Sequence, residues 1–179
     1  MSQKQGLDYE ELDQVSILSF KIGFEEFCID LYDVKEIIQA GLIRKLPKSL
    51  DYIDGIYNYR GEIIHVINLK KKLNLDQYVI YHSKYSSFEQ DSNTSKKFII
   101  ILRVDNDLIG FYTDSILSID HIEPTEIVGL SPIFQTSVAV EFIKGIINFE
   151  ERPRVMLDLS KIFSDVDKFR IQQDLSSLT

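Results

Sequence analysis

The chain has 179 residues, with 28 acidic and 20 basic side chains and a formal net charge of −8. At 44% hydrophobic residues it can bury a core, which excludes a chain that is disordered throughout. The negative charge argues against general binding to nucleic acid or anionic lipid, because both need a cationic surface. The single cysteine, Cys28, excludes an intramolecular disulfide and argues against a cysteine-based metal cluster.

The location of the protein is predicted from its N-terminal and apolar segments. Residues 1–13 are polar and acidic, without the basic and apolar regions of a secretion signal. No uncharged stretch is long and apolar enough to cross a bilayer. We therefore expect a cytoplasmic protein with no direct membrane insertion.

The first half of the chain is predicted to consist mainly of short strands. Its predicted elements are strands at 15–22 and 26–31 around Gly23, a helical turn or a strand at 33–38, strands at 56–59 and 62–67, and a short helix at 69–73. Arg60-Gly61 fits the tight turn of a hairpin, because glycine adopts a positive φ at little cost. Asn68 stands where the cap of the short helix belongs.

The second half repeats this pattern after a polar segment. Its predicted elements are strands at 98–104, 108–113 and 116–122, a helical turn at 124–127, strands at 142–149 and 154–157, and a helix at 159–163 capped by Asp158. Residues 76–97 are predicted to be an inserted loop, since they lack a clear period. The remaining regions are expected to be a flexible acidic arm at 1–14 and a polar tail at 164–179, which leaves one domain at 15–163.

An internal repeat relates the two halves. Residues 55–73 align without gaps on residues 145–163, and the aligned pairs Gly55/Gly145, Asn58/Asn148 and Leu69/Leu159 are among those that are identical. A weaker similarity relates residues 20–37 to residues 102–119. Repeats of this size indicate two related lobes. About five short strands in each lobe would suit a small antiparallel barrel.

The sequence predicts no catalytic residue, no metal ligand set and no cofactor. It lacks the glycine-rich phosphate-binding motifs and the nucleophile motif of hydrolases. His65, His82 and His121 are too far apart to form a ligand spacing. Cys28 lies in an apolar run and is expected to be a buried apolar residue. A binding module is therefore favoured over an enzyme.

Residues 55–69 resemble the signature of the CheW family of chemotaxis coupling proteins, which runs Gly-x-x-Asn-x-Arg-Gly-x-x-x-Pro-x-x-Asp-Leu. The similarity extends over residues 15–163. His65 stands in place of the proline and Asn68 in place of the aspartate, and the loop at 76–97 is longer than is usual for the family. Asn68 can still cap a helix, and the loss of the proline is expected to alter only a strand edge.

The resemblance implies an all-β fold with short helices, in which two five-stranded SH3/OB-like β-barrel lobes pack over a shared hydrophobic seam. It implies a non-catalytic adaptor that links chemoreceptor cytoplasmic tips to the regulatory domain of the CheA histidine kinase. The expected location is the receptor array on the inner face of the membrane. Other CheW copies, in rings, are a further possible partner.

The resemblance also implies two sets of contact residues. Four residues match positions that contact the kinase in the family, namely Val34, Glu36, Arg60 and Phe134. Arg60 can alternatively form a structural salt bridge with Glu36, and Phe134 can be a core residue.

A second set of positions matches the receptor-binding groove between the lobes. It comprises Leu31, Phe98 and Ile99. Burial in the core is the alternative role for these side chains, since most apolar strand residues are buried.

Two other functions stay open at this point. Small barrels with tyrosines such as Tyr57, Tyr59 and Tyr78 also suit an OB-like module that binds oligonucleotides, although the net charge of −8 opposes this. A CheW-like paralogue that serves a different kinase or array is the other alternative.

Overall fold

The fold is taken from a computed structural model, which describes residues 14–23, 25–47, 50–75, 97–130, 140–149 and 152–163. The acidic arm, most of the predicted loop at 76–97 and the C-terminal tail lie outside these ranges. The described ranges contain eleven strands and two short helices.

The predicted strands are confirmed, with ends that shift by up to three residues. The strands are β1 Val15–Ile22, β2 Glu25–Asp30, β3 Val34–Gln39, β4 Ile53–Tyr59, β5 Glu62–Ile67, β6 Phe98–Val104, β7 Asp107–Thr113, β8 Ser115–Ile122, β9 Ile127–Val128, β10 Ile143–Asn148 and β11 Pro153–Leu157. The helices are α1 Leu69–Lys72 and α2 Leu159–Ile162, and 3-10 turns form at Leu31–Asp33, Pro124–Glu126 and Val140–Phe142. The ambiguous segment at 33–38 is therefore mostly strand.

The strands form two sheets. Sheet A has the order β8-β1-β2-β11-β10-β9, and sheet B has the order β3-β6-β7-β5-β4. Neighbouring strands are antiparallel except for the parallel pairs β2–β11 and β5–β7. The expected all-β fold with two lobes is confirmed, with two differences: sheet A has six strands instead of five, and both sheets are open instead of barrels. No ladder in the described ranges joins β3 to β4 or β8 to β9.

Each sheet contains strands from both halves of the chain. Sheet A combines β1 and β2 with β8 to β11, whereas sheet B combines β3 to β5 with β6 and β7. The internal repeat relates five strands of the first half to five strands of the second half. The pairs are β1/β6, β2/β7, β3/β8, β4/β10 and β5/β11. The order of sheet B then matches the first five strands of sheet A, position by position. The lobes are thus related by an approximate two-fold and exchange strands with each other.

The glycines at the start of the long alignment have the same structural role in both lobes. A Cβ on Gly55 would lie 2.3 Å from the Arg44 carbonyl oxygen, and one on Gly145 would lie 2.4 Å from Ile127 Cγ2. Both glycines stand at a register shift in their hairpin. The missing Cβ lets an edge segment pass close to each hairpin. In sheet B this segment forms an isolated bridge between Arg44 and Ile56, and in sheet A it is β9. Close backbone approach therefore accounts for the identity of this pair.

A shared core lies between the sheets, as the predicted hydrophobic seam requires. Phe20 on β1 and Phe111 on β7 have ring centroids 5.2 Å apart and so connect the two sheets directly. Each lobe also has a smaller cluster of its own. Cys28 belongs to the cluster of sheet A, and burial raises its pKa to about 12. Its thiol is therefore an apolar core group, as predicted, and not a reactive one.

Candidate functional site

The hairpin turn between β4 and β5 places Arg60 at the surface. Arg60 has φ 52° and Gly61 has φ 88°, the two positive values that a tight hairpin turn requires. The Asn58 side-chain oxygen accepts a hydrogen bond of 2.8 Å from the Gly61 N–H. The asparagine and glycine of the Asn-x-Arg-Gly motif thus fix the turn, and the arginine between them has a side chain that is 73% exposed.

Glu36 on β3 connects to this turn. Its carboxylate accepts a hydrogen bond from the Tyr59 hydroxyl and lies 3.0 Å from Arg60 Nη2. The hydrogen bond from Tyr59 lowers the pKa of Glu36, and the nearby Arg60 cation acts in the same direction. The same hydrogen bond raises the pKa of Tyr59. The salt bridge between Glu36 and Arg60, one of the two roles considered for Arg60, is present. We call Glu36, Tyr59 and Arg60 the Glu36 cluster.

Val34 does not share a face with the Glu36 cluster. The pairing of β3 with β6 shifts between Val34 and Glu36, so that Val34 lies opposite Leu102 and Glu36 lies opposite Ile101. Val34 packs against the shared core, whereas Ile101 belongs to the cluster that includes Tyr59. This β-bulge therefore turns the two predicted kinase contacts to opposite sides of sheet B. Phe134 lies outside the described residues.

The three predicted receptor contacts are not brought together. Leu31 is half-buried against the shared core, and Ile99 is fully buried inside the lobe of sheet B. Phe98 begins β6 opposite Gln39, whereas Leu31 lies just before Val34 at the other end of β3. These assignments stay predictions, and Ile99 has no exposed surface in this conformation.

A polar cluster in the lobe of sheet A was not predicted from the sequence. Arg154 on β11 donates hydrogen bonds to Glu26 at 3.1 Å, to Ser19 at 2.9 Å and to Ser118 at 3.0 Å, and it lies 3.6 Å from Asp120. Its side chain is only 15% exposed. Its guanidinium also stacks 3.8 Å from the centroid of the Phe149 ring. The internal repeat contained a signal for this cluster, because it aligns the charged Arg154 with the apolar Ile64.

Comparison with known proteins identifies the family. A family model described as CheW-like domain matches residues 16–167. The chain belongs to the CheW-like domain family. Membership assigns it to chemotaxis signalling as a coupling or scaffold protein, and it favours this role over an oligonucleotide-binding module.

Individual relatives agree with this assignment. The chain is 28% identical over 152 residues to chemotaxis protein CheW of Treponema pallidum, covering 85% of this chain and 84% of that protein. It is 27% identical over 160 residues to chemotaxis protein CheW of Thermotoga maritima, covering 88% and 93%. The fold is similar to the crystal structure of the scaffolding protein TtCheW from Thermoanaerobacter tengcongensis, with a TM-score of 0.71, 23% identity and coverage of 91% and 96%.

The departures from the CheW signature have local explanations. Asn68 caps α1 by accepting from the Lys71 N–H at 3.0 Å, and its amide also donates to Asp54 at 3.1 Å. An aspartate could cap the helix but could not donate to Asp54, so the asparagine has a second use here. His65 is buried on β5, which pairs with both β4 and β7. The expectation that this change alters a strand edge is therefore wrong, because β5 is an interior strand.

The described ranges contain neither a cluster of metal ligands nor a membrane-spanning helix. Across the described ranges, no group of three or more histidine, cysteine, aspartate or glutamate side chains is arranged to hold a metal ion. None of the helices in those ranges is both long enough and apolar enough to span a membrane.

Proposed function

We propose that this CheW-like protein is a non-catalytic adaptor that joins chemoreceptor cytoplasmic tips to a CheA-type histidine kinase, in the cytoplasm at receptor arrays. The observation that supports the kinase contact most directly is the Glu36 cluster. It holds an exposed arginine at the tip of a hairpin, and the arginine belongs to the Asn-x-Arg-Gly motif of the family. Other copies of the chain, in rings, would be additional partners.

The geometry of the Glu36 cluster suits binding to another protein. Arg60 carries five N–H donors in a fixed plane, and its Nη2 group contacts Glu36. Exposed ion pairs add little to stability, because water and salt screen them. Tyr59 and Glu36 therefore act mainly to orient the guanidinium, which remains available to a carboxylate of the kinase. Arginine and tyrosine are among the residue types in which binding hot spots are enriched.

Charge reversal at Arg60 tests the proposal. We expect Arg60→Glu to lower affinity for the kinase regulatory domain about tenfold or more, the range of a hot-spot loss. It should also reduce receptor-stimulated autophosphorylation of the kinase. Affinity is measured by isothermal titration calorimetry, and folding is checked by circular dichroism.

Lys45→Glu provides the matched control, since it makes the same change at another exposed cation of the first half. It should leave kinase affinity within about twofold, as is usual for surface charges outside a hot spot. Equal losses in both variants would argue against a specific role for Arg60. A wild-type chain that binds neither the kinase regulatory domain nor a receptor cytoplasmic fragment would overturn the proposed function.

A further inference from the structure

The Tyr59 side chain connects the apolar interior of the sheet B lobe to the Glu36 cluster. Its ring belongs to the buried cluster of that lobe, together with Ile64 and Ile99, and only 7% of the residue is exposed. Its hydroxyl reaches the edge of the sheet and donates a hydrogen bond to Glu36. Because close-packed neighbours hold the ring, the hydroxyl has a fixed position. Tyr59 is thus the member of the Glu36 cluster that the core itself positions.

Arg60 depends on Tyr59 in two ways. The Arg60 Nη2 group donates to Glu36 Oε1 at 3.1 Å and lies 3.0 Å from Oε2, the oxygen that accepts from the Tyr59 hydroxyl. The guanidinium carbon also lies 5.3 Å from the centroid of the Tyr59 ring, within the range of a cation–π contact. The hydroxyl therefore fixes the carboxylate that Arg60 contacts, and the ring supports the guanidinium directly.

The lobe of sheet A shows that the fold itself does not require this hydroxyl. The internal repeat aligns each member of the Glu36 cluster with a residue of a different chemical type. The pairs are Tyr59/Phe149, Arg60/Glu150 and Glu36/Ser118. The Phe149 ring packs against the apolar cluster of its own lobe, as the Tyr59 ring does in the other lobe. Of these two ring positions, the one with a hydroxyl is the one that lies beside a carboxylate and an arginine.

We infer that Tyr59 is a positioning residue for kinase binding, which holds the Arg60 guanidinium in its binding orientation through Glu36 and through its own ring. The inference rests on the proposed function and adds to it the residue that sets the strength of the contact. An exposed arginine without such support samples many rotamers, and ordering it on binding costs free energy. Support from a nearly buried side chain removes part of this cost before the kinase binds.

Removal of the hydroxyl tests the inference in the full chain. We expect Tyr59→Phe to weaken binding of the kinase regulatory domain by about three- to tenfold, the range for ordering one long side chain on binding. Tyr112→Phe is the matched control, because it removes a phenol that packs against the same apolar cluster. The control should leave kinase affinity within about twofold, as is usual outside a hot spot. Isothermal titration calorimetry gives the affinities, and circular dichroism monitors folding.

A double-mutant cycle separates positioning from packing. In a chain that already carries Arg60→Gln, addition of Tyr59→Phe should change kinase affinity by less than about twofold, because the arginine that the hydroxyl orients is absent. A purely structural effect of the lost hydroxyl would weaken binding by the same factor with and without Arg60. Equal factors in the two backgrounds would therefore overturn the inference, as would a loss of the same size in the Tyr112 variant.

The experiment also distinguishes failure of the inference from failure of the proposed function. A wild-type chain that does not bind the kinase regulatory domain would overturn the proposed kinase contact. A wild-type chain that binds, and that loses affinity with Arg60→Glu but not with Tyr59→Phe, would overturn the inference alone.

Discussion

At the scale of single residues, Tyr59 has a larger part in the Glu36 cluster than the sequence motif suggests. The motif singles out Arg60, yet the hydrogen bond from the Tyr59 hydroxyl is the main reason that the pKa of Glu36 is lowered. Because the folded-state pKa lies below the usual value, ionised Glu36 stabilises the fold above that usual value. This contribution is lost as the pH falls through the lowered pKa.

Removal of the Tyr59 hydroxyl tests this order of causes. We expect Tyr59→Phe to raise the pKa of Glu36 towards its ordinary value, and by more than Arg60→Gln does. The measurement is a pH titration of the Glu36 side-chain carboxyl carbon by NMR. Tyr112→Phe removes another phenol of the same sheet and should leave the Glu36 pKa unchanged. A larger shift in the Arg60 variant than in the Tyr59 variant would contradict the expectation.

At the scale of elements, most strands could be predicted because their cues are local. The segment that became β5 has the predicted bounds, since the Arg60-Gly61 turn and the Asn68 cap mark its two ends. The bulge in β3 could not be predicted, because a bulge depends on how β3 pairs with β6, more than 50 residues away. This explains why Val34 and Glu36 matched one family surface in sequence but face opposite sides of sheet B.

The two repeat glycines give a prediction at this scale. Gly55→Ala places a methyl group against the Arg44 carbonyl, at 2.3 Å, and backbone cannot move aside cheaply. We expect a loss of about 1–3 kcal/mol in the free energy of unfolding, as for other overpacked sites. Urea denaturation provides the measurement. Gly129→Ala is the control, because a Cβ there meets nothing within 4 Å. A Gly55 variant as stable as the Gly129 variant would show that the crossing segment yields easily.

At the scale of the whole molecule, the two lobes have corresponding strand orders but differ in the side-chain interactions that stabilise them. Under the internal repeat, four polar residues in the lobe of sheet A correspond to four apolar residues in the lobe of sheet B. The pairs are Arg154/Ile64, Glu26/Leu108, Asp120/Ile38 and Ser19/Ile101. Those four apolar side chains belong to, or pack against, one cluster. At these four positions, therefore, one lobe has a nearly buried arginine network where the other has apolar packing. Buried ion pairs of this kind fix the positions of their side chains, but removing the charges from water costs free energy.

Replacement of this network by its apolar counterpart tests the comparison. We expect Arg154→Ile alone to cost about 3–5 kcal/mol, because it leaves Glu26 and Asp120 without their cation. The triple variant with Arg154→Ile, Glu26→Leu and Asp120→Ile should recover most of that loss, since it copies three of the four apolar positions of the other lobe. Chemical denaturation of both variants gives the comparison. A triple variant no more stable than the single one would mean that the two lobes are not interchangeable in this respect.

The fold class and the shared seam could thus be predicted from the repeat and the family resemblance, but the strand exchange could not. Alternating apolar residues in β2 predict a strand without specifying that its neighbour is β11, about 125 residues away. A pocket of about 220 Å³ between the sheets depends on the same exchange, because two of its lining residues, Asp30 and Lys144, are brought together only when β2 and β10 enter one sheet. Local sequence patterns carry no information on such partners.

The strand exchange has a consequence for how such chains can recombine. A crossover at the segment between β5 and β6 would join the first half of one protein to the second half of another. The hybrid would not have one lobe from each parent, because every sheet would contain strands of both. The parental interfaces β1–β8, β2–β11, β3–β6 and β5–β7 would all have to fit at once. Related coupling proteins should therefore diversify at exposed positions and loops, while exchanges of half a gene are rarely tolerated.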